Sequence, residues 1–76
     1  MARISGAEFL PPLQKEMRIL DVGCGTGAIA REVAVKIAPG EVIGIDREES
    51  QIEMAKRLAA TSRIKNAHSD RMTRPL

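Results

Sequence analysis

Three glycines at alternate positions, Gly23, Gly25 and Gly27, lie between two aspartates, Asp21 and Asp46. These five residues carry the chemistry that the chain can do. Glycine tolerates positive φ and, without a Cβ, lets a ligand approach the backbone closely. A glycine turn that opens a helix offers bare N–H groups where the helix dipole also favours negative charge. An acid about 20 residues past such a turn is placed to accept hydrogen bonds from both hydroxyls of a ribose. The pattern therefore points to an adenosine-type nucleoside cofactor. Asp21 would repel a pyrophosphate but suits a cofactor with a cationic amino group. The dinucleotide fingerprint G-x-G-x-x-G/A is also met, through Gly23, Gly25 and Ala28, so a nicotinamide-dinucleotide module stays open as an alternative.

These residues need a scaffold. Arg18 to Val22 reads as a short buried strand in which Ile19, Leu20 and Val22 are apolar. From about Gly27 to Ala38, Ala30, Val33, Ala34 and Ile37 recur at helical spacing, and Pro39-Gly40 ends the helix. Glu41 to Ile45 is a nearly continuous apolar strand, as a parallel strand covered on both faces requires, and Asp46 ends it. A second helix is expected from about Glu48 to Ala60, with Ile52, Ala55, Leu58 and Ala59 facing inwards and Glu53–Arg57 as an i, i+4 ion pair. The order strand, helix, strand, helix is a βαβ unit with one further helix, its strands parallel and its crossover right-handed. Before it, Ser5 to Leu13 suggests a short helix that Pro11 and Pro12 keep from extending. After Thr61 the apolar signal fades, and residues 62–76 are expected to be irregular.

The 76 residues allow one domain, divided into a lead-in (1–17), a β-α-β-α half-site (18–60) and a tail (61–76). The formal charge of +2 comes from 12 basic and 10 acidic residues that are interspersed, which is a solvated surface and not a nucleic-acid footprint. No apolar run reaches the length of a membrane span, and residues 1–6 carry no signal-peptide core. A single cysteine, Cys24, rules out an internal disulfide and fits a reducing compartment, so a cytoplasmic location is expected. Cys24 has no evident base beside it and reads as a small spacer in the turn, not a nucleophile. His68 lies in the tail and reads as a solvated histidine. No metal-ligating cluster stands out.

Leu20-Asp21-Val22-Gly23-Cys24-Gly25-Thr26-Gly27 resembles the first motif of class I S-adenosylmethionine-dependent methyltransferases, D-x-G-x-G-x-G. Ala38 to Asp46 is similar to the approach to their second motif, and Phe9-Leu10-Pro11-Pro12-Leu13 to the helix before the first strand in ubiquinone/menaquinone-type enzymes. The resemblance covers about Ser5 to Ala60. It implies an α/β fold, a partial Rossmann-like β-α-β-α unit preceded by a short N-terminal helix, and S-adenosyl-L-methionine as cofactor. It implies that Gly23, Gly25 and Gly27, with Cys24 between them, pass along the methionyl part. Asp21 would hold the amino group, directly or through water, and Asp46 the ribose hydroxyls. Arg47 would lie near the adenine, and Gln51 at the cofactor rim.

The resemblance further implies a small-molecule methyl acceptor, while the charge balance and the lack of a membrane-length apolar run lead to the expectation of no nucleic-acid or membrane partner. The family's third strand and the acid that contacts the adenine are not matched, since Asp70 arrives early. The fourth strand and the acceptor-binding half are not matched either. The chain is thus expected to be an N-terminal fragment, catalytically incomplete alone. One edge of its first motif strand would be bare and open to self-association. A non-enzymatic remnant that self-associates is the other alternative.

Overall fold

The computed structural model describes residues 1–5 and 10–72. Its elements, in chain order, are β1 (Ala2–Ile4), β2 (Arg18–Val22), α1 (Ala28–Ile37), β3 (Glu41–Asp46), α2 (Glu49–Thr61) and β4 (Ala67–Arg71). The four strands form one parallel sheet in the order β1-β2-β3-β4.

The β2-α1-β3-α2 heart follows the sequence pattern. Ala30, Val33, Ala34 and Ile37 of α1 are all buried and pack with Ile4, Ile19 and Val42 in one core cluster. In α2 the buried residues are Ile52, Ala55 and Ala59, with Leu58 half-buried. Among the described residues the i, i+4 helical ion pair is Glu32–Lys36, at 3.6 Å, and not Glu53–Arg57. Ile37→Ala would leave a void in a site with no exposure and cost about 2–5 kcal/mol. Among the described residues, no helix is long and apolar enough to cross a membrane.

The periphery departs from expectation at both ends. The tail is not irregular: β4 runs from Ala67 to Arg71, paired with β3 from Val42↔Ala67 to Asp46↔Arg71. It is a strand without an apolar run because β3 supplies the backbone partners that fix it. The Val42 N–H donates to the Asn66 carbonyl (2.9 Å) and the Met72 N–H to the Asp46 carbonyl (2.7 Å). The Asn66 side-chain amide donates to the carbonyls of Ala34 and Gly40, both at 2.8 Å, and pins the start of the strand.

At the other end, β1 precedes everything that sequence patterning marked. It lies beside β2 (Ala2↔Ile19 to Ile4↔Asp21), so the edge of β2 expected to be bare is covered. Only 3% of Ile4 is exposed, and this anchor holds a three-residue strand in place. The N-terminal helix reading falls largely on residues 6–9, outside the described residues; residues 10–13 are not helical.

Candidate functional site

The site is built where β2 and β3 end. In parallel sheets the carboxyl ends of the strands are where ligands bind. Gly23, Gly25 and Gly27 have φ of +73°, +56° and +81°, a left-handed conformation at alternate residues that side chains with a Cβ adopt at a cost. A Cβ at Gly23 would meet nothing within 4 Å, and one at Gly25 would meet only Gln51 Oε1, at 4.0 Å. This part of the turn therefore faces open space. Gly27 is different: a Cβ there would lie 3.3 Å from Ala55 Cβ and 3.1 Å from Arg31 Nη1, so its bareness serves the packing of α1 on α2.

The N–H groups of the turn are mostly spoken for. Those of Gly23 and Cys24 donate to the Ile45 carbonyl (2.8 and 3.0 Å), and that of Gly27 to the Cys24 carbonyl (2.9 Å). The Gly25 N–H donates to Asp46 Oδ2 at 2.8 Å. This corrects the expectation of a row of bare donors. Among the described residues, Thr26 alone within the turn keeps an N–H without an acceptor. A pyrophosphate would find few donors here, which weakens the dinucleotide reading.

Asp46 joins three elements. Besides the Gly25 N–H, its Oδ1 accepts from the Glu48 N–H at 2.9 Å, at the start of α2. These bonds, from Glu48 first and Gly25 second, hold its carboxyl below the ordinary aspartate range. A carboxylate has about four acceptor positions. Two are taken by these backbone N–H groups, and the half-exposed side chain leaves acceptor positions open to the surface.

The remaining candidates separate. Asp21 is 1% exposed and lies on the covered face of β2, beneath the turn, so a ligand cannot reach its carboxylate directly in this arrangement. Gln51 stands across the turn from Gly25, at the rim, and Arg47 is exposed between β3 and α2. The Cys24 thiol is half-buried against Gly44, where a Cβ would come within 2.7–2.8 Å of its Cβ and Sγ. Burial first, then the charges of Asp21 and Asp46, push its pKa up to about 11, so it is a neutral thiol and not a nucleophile. The site encloses no cavity among the described residues; it is an open shelf.

Two contributors escape a reading of the sequence. Arg31 donates from Nη1 to the Thr26 carbonyl and so braces the turn from α1, while Asp46 holds it from the end of β3. The signal was its position one helical turn past Gly27, but an arginine there also fits an exposed helix face. Ser69, which acts weakly to lower the Cys24 pKa against the larger effects that raise it, depends on β4 and had no signal of its own.

The chain around this shelf is similar to known proteins in sequence and in backbone. The sequence model of a methyltransferase-domain family matches residues 13–70. The chain belongs to this family. The release factor glutamine methyltransferase of Escherichia coli is 42% identical over 55 residues, covering 72% of this chain and 20% of that protein. A SAM-dependent methyltransferase from Aquifex aeolicus superposes with a TM-score of 0.75 at 26% identity, over 79% of this chain and 32% of that one. PKMT2 from Rickettsia typhi, in complex with AdoHcy, superposes with a TM-score of 0.75 at 28% identity, over 83% of this chain and 12% of that one. This methyltransferase-family chain thus spans about a fifth of the length of the E. coli relative. Between the methyltransferase and nicotinamide readings of the motif, the comparisons favour the methyltransferase family.

Proposed function

We propose that the chain forms the S-adenosylmethionine half-site of a methyltransferase that acts on a small molecule. The observation that carries this is the bond from the Gly25 N–H to Asp46. It brings the glycine turn and the second acid together on one open shelf, with acceptor positions left for two hydroxyls.

In this reading Asp46 accepts the ribose hydroxyls without releasing either backbone N–H. Gly23 and Gly25 offer the open backbone along which the methionyl part lies. Asp21 acts on the amino group through water, because it is buried. Arg47 flanks the adenine and Gln51 closes the rim. The bound cofactor would supply a methyl group on a cationic sulfonium; the protein's task is to hold that group in line with an acceptor. The small acceptor rests on the likeness of residues 9–13 to ubiquinone/menaquinone-type enzymes.

We further propose that the 76-residue chain alone turns over no acceptor. Neither candidate for proton chemistry suits a base. The Cys24 thiol stays neutral up to about pH 11. His68 lies one strand beyond β3, 3.5 Å from Glu41, at the far edge of the sheet from the turn on β2.

The test is a two-dimensional amide spectrum titrated with S-adenosylhomocysteine. Shifts at Gly23 to Gly27 and at Asp46, absent in a Gly25→Asp variant, are expected. Tighter binding of NADH than of S-adenosylhomocysteine would overturn the reading. Methyl transfer to a small acceptor above the rate of the Gly25→Asp control would overturn the second proposal.

A further inference from the structure

Gly44 interrupts the apolar run of β3, and the cause lies in the turn that follows β2. A Cβ at Gly44 would stand 2.7 Å from Cys24 Cβ and 2.8 Å from Cys24 Sγ. Towards β4 it would meet the His68 carbonyl at 3.6 Å, an ordinary contact, so the conflict is with the turn. Carbon atoms pack at about 3.5–4.0 Å, so Cys24 would have to retreat by about 1 Å. Rotating the thiol away relieves only part of this, because Cys24 Cβ is fixed to its own backbone. β3 is poorly placed to yield instead: it is paired on both sides, with Gly44 level with Asp21 of β2 and Ser69 of β4.

Three consecutive residues of β3 meet the turn. Gly44 receives the Cys24 side chain. The Ile45 carbonyl accepts from the N–H groups of Gly23 and Cys24, at 2.8 and 3.0 Å, and Asp46 Oδ2 accepts from the Gly25 N–H at 2.8 Å. Such bonds lie within about 2.7–3.2 Å, so a retreat of about 1 Å exceeds what they tolerate. We propose that Gly44 is a positioning residue for the cofactor: its missing side chain seats Cys24, and the seated Cys24 holds Gly23 and Gly25 where their backbone and Asp46 meet one ligand. This rests on the reading of the turn as the S-adenosylmethionine shelf. Gly44 acts through Cys24 and needs no contact with the ligand. A glycine within a strand weakens it by about 0.5–1 kcal/mol relative to alanine, and the close approach of another backbone is a reason for one to stand there. The side chain allowed at position 44 is set by the one at position 24, so the two form a single steric unit.

Calorimetry with S-adenosylhomocysteine and the amide spectrum of the ligand-free chain test the proposal together. Gly44→Ala should lower the affinity by about tenfold or more, as the loss of a hydrogen bond to a charged group does. In its ligand-free spectrum the Gly25 amide should leave its wild-type position and stop responding to the titration of Asp46. The Glu48 amide, held by the other carboxylate oxygen, should still respond. A general loss of stability would not separate these two amides. Adding Cys24→Ala should restore nothing, because the Cβ remains. Adding Cys24→Gly should bring the affinity to within a few-fold of Cys24→Gly alone. Wild-type affinity with an unmoved Gly25 amide in Gly44→Ala would overturn the proposal, as would a loss that Cys24→Gly leaves unrepaired. If Gly44→Ala does not fold, the variant that also carries Cys24→Gly decides: a folded chain whose Gly25 amide follows Asp46 upholds the proposal, and an unfolded one overturns it. A wild-type chain that binds no S-adenosylhomocysteine would sink the cofactor reading, while the ligand-free amides would still decide whether Gly44 seats the turn.

Discussion

Asp21 and Asp46 are the same residue type near the ends of neighbouring strands, and the fold gives them opposite surroundings. Asp21 points to the covered face and is sealed at 1% exposure. Asp46 stands just past the last β2–β3 pair, half-exposed, with each carboxylate oxygen holding a backbone N–H. N–H donors favour a charge, and the two on Asp46 hold its carboxyl below the ordinary aspartate range. The pair shows how one acid can be built into the interior while its neighbour keeps acceptor positions at the surface.

Several substitutions and titrations would break or sharpen this contrast. Asp46→Ala removes the acceptor for two N–H groups and the proposed ribose contact together. Hydrogen bonds to a charged group are worth about 1.5–3 kcal/mol each, so S-adenosylhomocysteine affinity should fall roughly a hundredfold by calorimetry. Asp46→Asn, which keeps the shape, should lose less. The acids also act on Cys24, whose pKa of about 11 leaves it almost wholly protonated at pH 8. Iodoacetamide should label it roughly a hundred times more slowly than the unfolded chain, by about the ratio of thiolate fractions. Labelling at the unfolded rate would show the thiol to be exposed.

Asp21→Ala should act on the fold more than on the ligand, costing about 2 kcal/mol in urea unfolding, in the range for loss of a buried polar residue. An affinity loss larger than that of Asp46→Ala would reverse the contrast. Arg31→Met removes the other brace on the turn. It should weaken ligand binding a few-fold, about 1 kcal/mol, with Arg31→Lys recovering part of it. An unchanged affinity would leave Asp46 as the sole brace.

The smallest effect is on stability against pH. The folded pKa of Asp46 lies below its unfolded value, so its contribution is complete above about pH 3.9 and fades as pH falls through that value towards the lower folded one. The amide resonances of Gly25 and Glu48 should titrate together, below the unfolded value. Separate midpoints would mean that one carboxylate does not hold both.

The glycine turn, the two helices and the two central strands were legible because each is written in local terms. Alternate glycines meet alternate positive φ values, and Ala30, Val33, Ala34 and Ile37 fall one helical turn apart and are all buried. The edges were not legible. Three residues are too few to show a period, and Ala67-His68-Ser69-Asp70-Arg71 has no apolar run to mark a strand. What made these segments strands was the neighbour: β3 offered β4 a row of backbone partners, and Ile4 found a place in the core beside Ile19.

The site divides along the same line. The sequence by itself determined which residues stand at the turn and that an acid follows about 20 residues later, because backbone conformation and motif spacing are properties of the chain. Only the tertiary structure decided that Asp46 reaches back to the Gly25 N–H, that Ile45 takes up the donors of Gly23 and Cys24, and that Asp21 is buried. Those outcomes depend on which groups the pairing of β2 with β3 brings within hydrogen-bond range, and no local pattern records that.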